Sequence, residues 1–189
     1  MVTLFWCVIG FVLLQRVGEL LLAKRNTRFI KKQGGVEAGE NHYKWMVLLH
    51  VTFFISMFVE IGSKGWDHIS FHLLPFLLFC LVQPLRIWSI ASLGHYWNTR
   101  IYVIKGLEPV MRGPYKYIKH PNYLVVIVEL VTLPMTFGAI WTAVLFSLLN
   151  VLMLSVRISI EEAALHEAYQ YKRWMSDQQR FVPIWWRRK

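Results

Sequence analysis

Long apolar blocks alternate with short polar connections along this chain. Crossing the hydrocarbon of a bilayer takes about 20 mostly apolar residues as helix. Five segments reach or approach that length: Val2 to Ala23, about Lys44 to Ile61, Ile69 to Leu93, Pro121 to about Met135, and about Ala139 to Val156. The pattern predicts an all-α polytopic membrane protein of about five transmembrane helices with a C-terminal helical cap. It predicts one domain over 1–189, with three spans in 1–93 and the remaining machinery in 94–189. Pro134-Met135-Thr136-Phe137-Gly138 is a breaker cluster, so the last two spans read as a tight helical hairpin. Each arm is short for a full crossing, which suits a tilted or shallow hairpin. The linker from Lys31 to Asn41, with Gly34, Gly35 and Gly39, reads as the one flexible connection.

Charge adds an orientation. Lys and Arg number six between Lys24 and Lys44, one in 62–68, five in 94–120, none in the turn around Gly138 and seven from Arg157 onward. That alternation is what the positive-inside rule requires of five spans, with the N-terminus outside and the C-terminus in the cytosol. Composition agrees, at 56% hydrophobic and only 17% charged residues, against about 25% charged in ordinary globular proteins. The net charge of +10 raises the question of nucleic acid, but the basic residues fall between apolar blocks and form no soluble binding face. Anionic lipid headgroups suit them better. Cys7 and Cys80 lie inside apolar stretches and offer neither a disulfide framework nor a metal-ligand cluster. Met1 to Phe11 has no basic region and no small-x-small site follows, so no cleavable signal is expected.

Candidate chemistry gathers in the 94–120 loop and the tail from 157 on, both expected in the cytosol. Pro121 suits the first turn of a helix, which puts His120 at its N-cap, where free N–H groups and the positive dipole end favour a carboxylate or phosphate. The plainer alternative is a simple cap with an interfacial belt of tyrosines. Arg157 and Glu161 stand one turn apart on a helix continuing from the fifth span and can pair, while Glu162 points about 100° away. Ionisable residues at the edge of a span are functional candidates by default, although a helix simply leaving the bilayer also turns polar. His166 to Trp174 reads as an amphipathic helix, and Trp185-Trp186-Arg187-Arg188-Lys189 as an interfacial anchor. In the first span Arg16 and Glu19 can pair, explained either by snorkelling of Arg16 or as the polar wall of a substrate cavity. His50 and Glu60 are weaker candidates.

Taken together, Gly113-Pro114-Tyr115, Lys119-His120-Pro121-x-Tyr123, the hairpin, Arg157-x-x-x-Glu161-Glu162 and a Tyr/Trp tail ending in Phe181-x-Pro183 resemble the isoprenylcysteine carboxyl methyltransferase family over residues 83–184. The resemblance implies methyl transfer from S-adenosylmethionine, bound under the C-terminal helices, to a lipophilic small-molecule acceptor entering from the bilayer. It implies cofactor contacts at Tyr115, Lys119, His120, Pro121, Tyr123, Tyr169 and Tyr171, and a catalytic pair in Arg157 and Glu161. Two positions depart from the family pattern: Lys119 stands where Arg is usual, and Leu124-Val125 follow Tyr123 where many members have Gly. The chain looks like the compact bacterial branch, associated with O-methylation of alkylpyrones. Two other readings stay open. One is an NADPH-dependent membrane ene-reductase, since sterol reductases carry a related Pro-Asn-Tyr segment, here Pro121-Asn122-Tyr123. The other is a non-catalytic membrane scaffold.

Overall fold

The computed structural model describes residues 1–169 and 179–181, apart from the side chain of Tyr169. Five helices dominate it: α1 (Val2–Lys32), α2 (Glu40–Ser63), α3 (Leu73–Leu93), α4 (Pro121–Thr136) and α5 (Ile140–Tyr169). Four of them are long and apolar enough to cross a membrane, and α4 is a shorter apolar helix. At 16 residues α4 spans about 24 Å, short of the hydrocarbon thickness. The other arm, α5, runs 30 residues and is long enough to cross, so only one arm of the hairpin is short and the expectation of two short arms is corrected. Large apolar side chains such as Leu14, Leu81 and Trp141 are exposed along these helices, the pattern of surfaces that face lipid. The all-α membrane architecture expected from hydropathy is the one observed.

The interior is built from one stripe per helix. In α1 the buried positions are Phe5, Ile9, Val12, Glu19, Ala23, Asn26 and Ile30, spaced by three, four or seven residues as one helical face requires. Phe5, Ile9, Leu49, Met57, Phe79, Leu133 and Phe146 meet in a common core. Phe5 packs edge-on against Phe137 at the α4–α5 turn, with ring centroids 5.0 Å apart.

Two other expectations need correction. The first helix does not stop at Ala23 but runs on to Lys32. The linker after it is not a free connection: Val36–Ala38 forms strand β1 and pairs antiparallel with β2 (Ile101–Val103), in the register Val36 to Val103, Glu37 to Tyr102 and Ala38 to Ile101. Three-residue strands carry too little alternation to be visible in sequence. Glu37 then accepts hydrogen bonds from Arg100 Nη1 at 2.6 Å and the Tyr102 hydroxyl at 2.9 Å, and the Arg100 guanidinium lies 4.1 Å from the Tyr43 ring centre. The hydrogen bond to Glu37 holds the Arg100 guanidinium's pKa above its ordinary value.

The core of the bundle also holds four charges. Arg16 donates to Glu19 at 2.6 Å and to Glu129 at 3.0 Å, while Arg86 donates to Glu19 at 3.1 Å and, by a shorter contact, to Glu129. Gln83 adds a 2.8 Å bond to Glu129. Arg16 therefore does not snorkel outward but turns inward, to a network joining α1, α3 and α4. None of these residues lines the cavity described below.

At the opposite end of the bundle from that cavity, Glu60 of α2 caps α5 from outside the helix. Its carboxylate accepts from the backbone N–H of Trp141 at 3.2 Å, the N–H of Thr142 at 2.7 Å and the Thr142 hydroxyl at 2.8 Å. Lys64 bridges Glu60 to the Gly138 carbonyl, at 3.0 and 2.7 Å. The first N–H groups of a helix have no partner within it, so this carboxylate fills a standard vacancy. Glu60→Ala is expected to cost about 1–2 kcal/mol, read as a lower unfolding midpoint of the detergent-solubilised protein with no loss of ligand response at the far cavity.

Candidate active site

The 94–120 loop folds over the ends of α3, α4 and α5. Asn26 of α1 ties it down by donating to the carbonyls of Gly94 at 3.0 Å and Trp97 at 2.7 Å, and Asn98 answers by donating to the Ala23 carbonyl at 3.1 Å. The turn Gly113–Lys116 then packs on the last turn of α3. Gly113 has φ +58°, and an added Cβ would fall 1.9 Å from Ser92 Oγ, so only glycine lets the turn approach this closely. That approach buries Tyr115, whose hydroxyl is held well above its ordinary pKa, by burial first and by the charge of Glu161 second.

A cavity opens between the loop and the helix ends. Its wall includes Tyr115, Lys119, His120, Tyr123 and Glu161, five of the residues expected at a cofactor or catalytic position. Pro121 is buried at the first turn of α4 and does not line the cavity. Tyr171 and the side chain of Tyr169 lie outside the described residues, as does the terminal Trp/Arg segment. Sequence reasoning misses Tyr102 and Asn122 as wall residues. The signal for Tyr102 lay in strand pairing, which the sequence hides. Asn122 sits between Pro121 and Tyr123, and among the described residues its buried side-chain Oδ1 has no hydrogen-bond partner.

At the back of the cavity the tyrosine on the first turn of α4 organises the charges of α5. The Tyr123 hydroxyl donates to Glu161 in a short hydrogen bond and accepts from Arg157 Nε at 2.7 Å. Arg157, only 4% exposed, also donates from Nη2 to the Thr99 carbonyl at 2.8 Å. This corrects the expected direct pairing of Arg157 with Glu161: the phenol hydroxyl stands between them. Arg157 itself lies behind Tyr123 and is not part of the cavity wall.

His120 occupies the N-cap position of α4, yet its side chain makes no capping bond. The ring stacks on Tyr123 with centroids 5.2 Å apart and planes at 16°, its Nε2 lies 3.1 Å from Glu162 Oε1, and its Nδ1 lies 3.9 Å from Glu161 Oε2. Glu161 and Glu162 diverge around α5, but the imidazole sits between them and reaches both. Arg180 returns from the tail to grip Glu162 with two bonds, Nε to Oε1 at 3.1 Å and Nη2 to Oε2 at 2.7 Å. The carbonyls of Gln179 and Arg180 accept from the backbone N–H groups of Lys119 at 3.0 Å and His120 at 3.1 Å.

Burial pushes the Glu162 carboxyl up, but Arg180 and His120 outweigh it and leave the pKa below the ordinary value. A depressed carboxylate stabilises the fold above its unfolded pKa, about 4.3, and loses that contribution as pH falls through the folded value. The grip of Arg180 on Glu162 is therefore complete at neutral pH and weakens only in acid. Glu162→Gln is expected to remove this acid-range loss, seen as a flatter stability profile below pH of about 5.

Residues 74–167 match the isoprenylcysteine carboxyl methyltransferase (ICMT) family. The chain is 42% identical over 164 residues to the uncharacterized protein YpbQ of Bacillus subtilis (strain 168), covering 87% of this chain and 98% of that one. It is 23% identical over 166 residues to an uncharacterized protein of Haemophilus influenzae, covering 87% of this chain and 94% of the other. The matched segment holds α4, nearly all of α3 and α5, and the loop that carries Tyr115 and His120. With apolar spans around it and this charged, aromatic cavity at their ends, the chain belongs to the isoprenylcysteine carboxyl methyltransferase family of integral membrane methyltransferases.

Proposed function

We propose that the chain transfers the methyl group of S-adenosylmethionine to an ionised oxygen, a carboxylate or an acidic enol or hydroxyl, of a lipophilic acceptor that reaches the cavity from the bilayer. Acceptors of the alkylpyrone or prenylcysteine type have that chemistry: one acidic oxygen and a long apolar tail. The observation that carries the reading is the Tyr123 hydroxyl, which fixes Glu161 at the cavity wall and Arg157 behind it. The orientation that goes with it puts the cavity in the cytosol and the N-terminus outside.

The residues fit the cofactor. Aromatic faces of Tyr96, Trp97, Tyr102 and Tyr115 offer surfaces for a flat purine and for a cation. The carboxylate of Glu161 adds negative charge at the same wall, and Lys119 with the N-terminus of α4 suits a carboxylate. Among the described residues the buried Asn122 oxygen has no donor, and an exocyclic amine would supply one. Bound there, the cofactor supplies an electrophilic methyl group on a positively charged sulfur.

The chain's own part is alignment and charge. In-line displacement depends chiefly on holding two groups in register. Arg157 spends Nε on the Tyr123 hydroxyl and Nη2 on the Thr99 carbonyl, so from behind the wall it holds the phenol and the loop in register for the reacting groups. An acceptor arriving protonated finds Glu161 and His120 beside the cavity to take its proton. An already ionised acceptor needs no base at all.

The test uses detergent-solubilised protein. S-adenosylhomocysteine should raise the unfolding midpoint and NADPH should not, since a ligand that binds only the folded state stabilises it by mass action. Membranes incubated with a labelled methyl donor and a panel of alkylpyrones, quinone-type phenols and prenylcysteines should yield one labelled product class. Stabilisation by NADPH alone would replace methyl transfer with reduction of a lipophilic substrate.

A further inference from the structure

The end of α1 carries a feature that the cavity does not use. Lys24, Arg25, Arg28, Lys31 and Lys32 are all exposed, and no carboxylate intervenes between Glu19 and Glu37. At 100° per residue they fall within an arc of about 120°. The opposite face of the same turns is occupied, with Ala23, Asn26 and Ile30 buried. Among the described residues, none of the five forms an ion pair or a side-chain hydrogen bond.

Two ordinary explanations account for only part of this. Cations in the last turn of a helix complement its negative end, which covers Lys31 and Lys32. That effect fades within one turn, and the positive-inside bias accounts for basic residues at this helix end without confining Lys24, Arg25 and Arg28 to one arc, so their placement needs another reason. Reach toward the cavity is not that reason either, because Ile30, the α1 residue in the cavity wall, points away from the basic arc.

The surface directly below the basic arc is apolar. Leu13, Leu14, Val17, Leu20 and Leu21 are 42–74% exposed, and they fall on nearly the same side of the helix, again within about 120°. Gly10 sits on this ridge and Gly18 about 40° beyond its edge, and neither would meet any atom within 4 Å if it carried a Cβ. The helix therefore presents an open, shallow apolar track that ends in a cluster of guanidinium and ammonium groups. An acyl chain matches the track, and a phosphodiester without a compensating cation matches the cluster.

The geometry points to a binding site for an anionic phospholipid on the outer face of α1, its headgroup held by Lys24, Arg25 and Arg28 and its acyl chains lying along Leu21, Leu20, Val17 and Leu14. Lys31 and Lys32, about 10–12 Å further along the axis, add attraction over roughly a Debye length. The site is separate from the methyl-transfer reading and stands or falls without it.

The test is direct. Purified full-length protein in neutral detergent is mixed with phosphatidylglycerol or phosphatidylcholine, and retained lipid is counted by native mass spectrometry. Phosphatidylglycerol should be retained, phosphatidylcholine should not, and the thermal midpoint should rise with the former in a salt-sensitive way. Inorganic phosphate at equal concentration should have no such effect, which separates a lipid from a free anion. The variant Lys24→Gln/Arg25→Gln/Arg28→Gln should weaken phosphatidylglycerol binding about tenfold or more, while Lys105→Gln/Lys116→Gln, which removes charge elsewhere, should leave it unchanged. Equal retention of the two lipids by the wild-type protein, equal stabilisation by phosphate, or equal weakening in both variants would overturn the assignment.

Discussion

Arg86→Ala lowers the stability of the protein by about 3–5 kcal/mol, the largest loss expected of any single truncation in the bundle. The network it belongs to is neutral: Arg16 and Arg86 face Glu19 and Glu129, and Arg86 has a side chain only 1% exposed. Removing one cation leaves Glu19 and Glu129 sharing Arg16 alone, with a net negative charge inside an apolar bundle. Burial of an uncompensated charge is what makes breaking such a pair so costly. A neutral replacement of both partners avoids that, so Arg86→Met/Glu129→Met should regain most of the loss, with Arg16 and Glu19 still paired three residues apart at 2.6 Å. Thermal unfolding in detergent reads both variants. A single variant no less stable than the double would mean that the network is solvated and not a clamp between helices.

Arg157→Ala lowers methyl transfer at least about tenfold, and the cause lies in alignment, not in folding. The side chain reaches Tyr123 and Thr99 through two different nitrogens, at 2.7 and 2.8 Å, so one guanidinium fixes both the phenol and the loop above it. Lysine offers a single point charge on a flexible stem and cannot span those two partners. Arg157→Lys should therefore stay close to Arg157→Ala in turnover. Tyr123→Phe keeps the ring that stacks on His120 and loses only the hydroxyl between Arg157 and Glu161. Its turnover should fall while S-adenosylhomocysteine still raises the unfolding midpoint, which separates positioning from cofactor affinity. Full turnover in Arg157→Ala and Glu161→Ala would move the chemistry away from this cluster and favour a scaffold.

The helices were legible because hydropathy is a property of segments, and each span carries its own signal. The helical hairpin was legible for the same reason, through Pro134 and Gly138. Arg16 and Glu19 stood out as a local pair, three residues apart. Arg86 and Glu129 did not, because each is a lone charge in an apolar run, Leu85-Arg86-Ile87 and Val128-Glu129-Leu130. Their meaning is tertiary: only the packing of α1, α3 and α4 puts them within reach of that pair. Four charges of balanced sign in three predicted spans were nonetheless a usable warning, since an unpaired charge at that depth is expensive.

The cavity shows the same division. The Lys119-His120-Pro121-x-Tyr123 and Arg157-x-x-x-Glu161-Glu162 segments were visible as candidates, and five of the residues named in sequence line one cavity. Their connectivity was not visible. Helical spacing suggested an Arg157–Glu161 bond, and the structure inserts the Tyr123 hydroxyl from another helix. Nor could spacing reveal that His120, placed as a cap, reaches Glu161 and Glu162 together.

The ribbon between β1 and β2 has a consequence for how this molecule can be cut. The segment that carries the family likeness begins at residue 74, which invites an attempt to produce it alone. Such a fragment would contain β2 without β1, so the edge bearing Tyr102 and Val103 would lose its only described strand partner. It would also lack Ile30 at the cavity wall and Asn26, whose amide tethers the loop at Gly94 and Trp97. The end of α1 and the strand after it are thus part of the vessel and more than its mooring, and a fragment meant to keep the cavity has to include them.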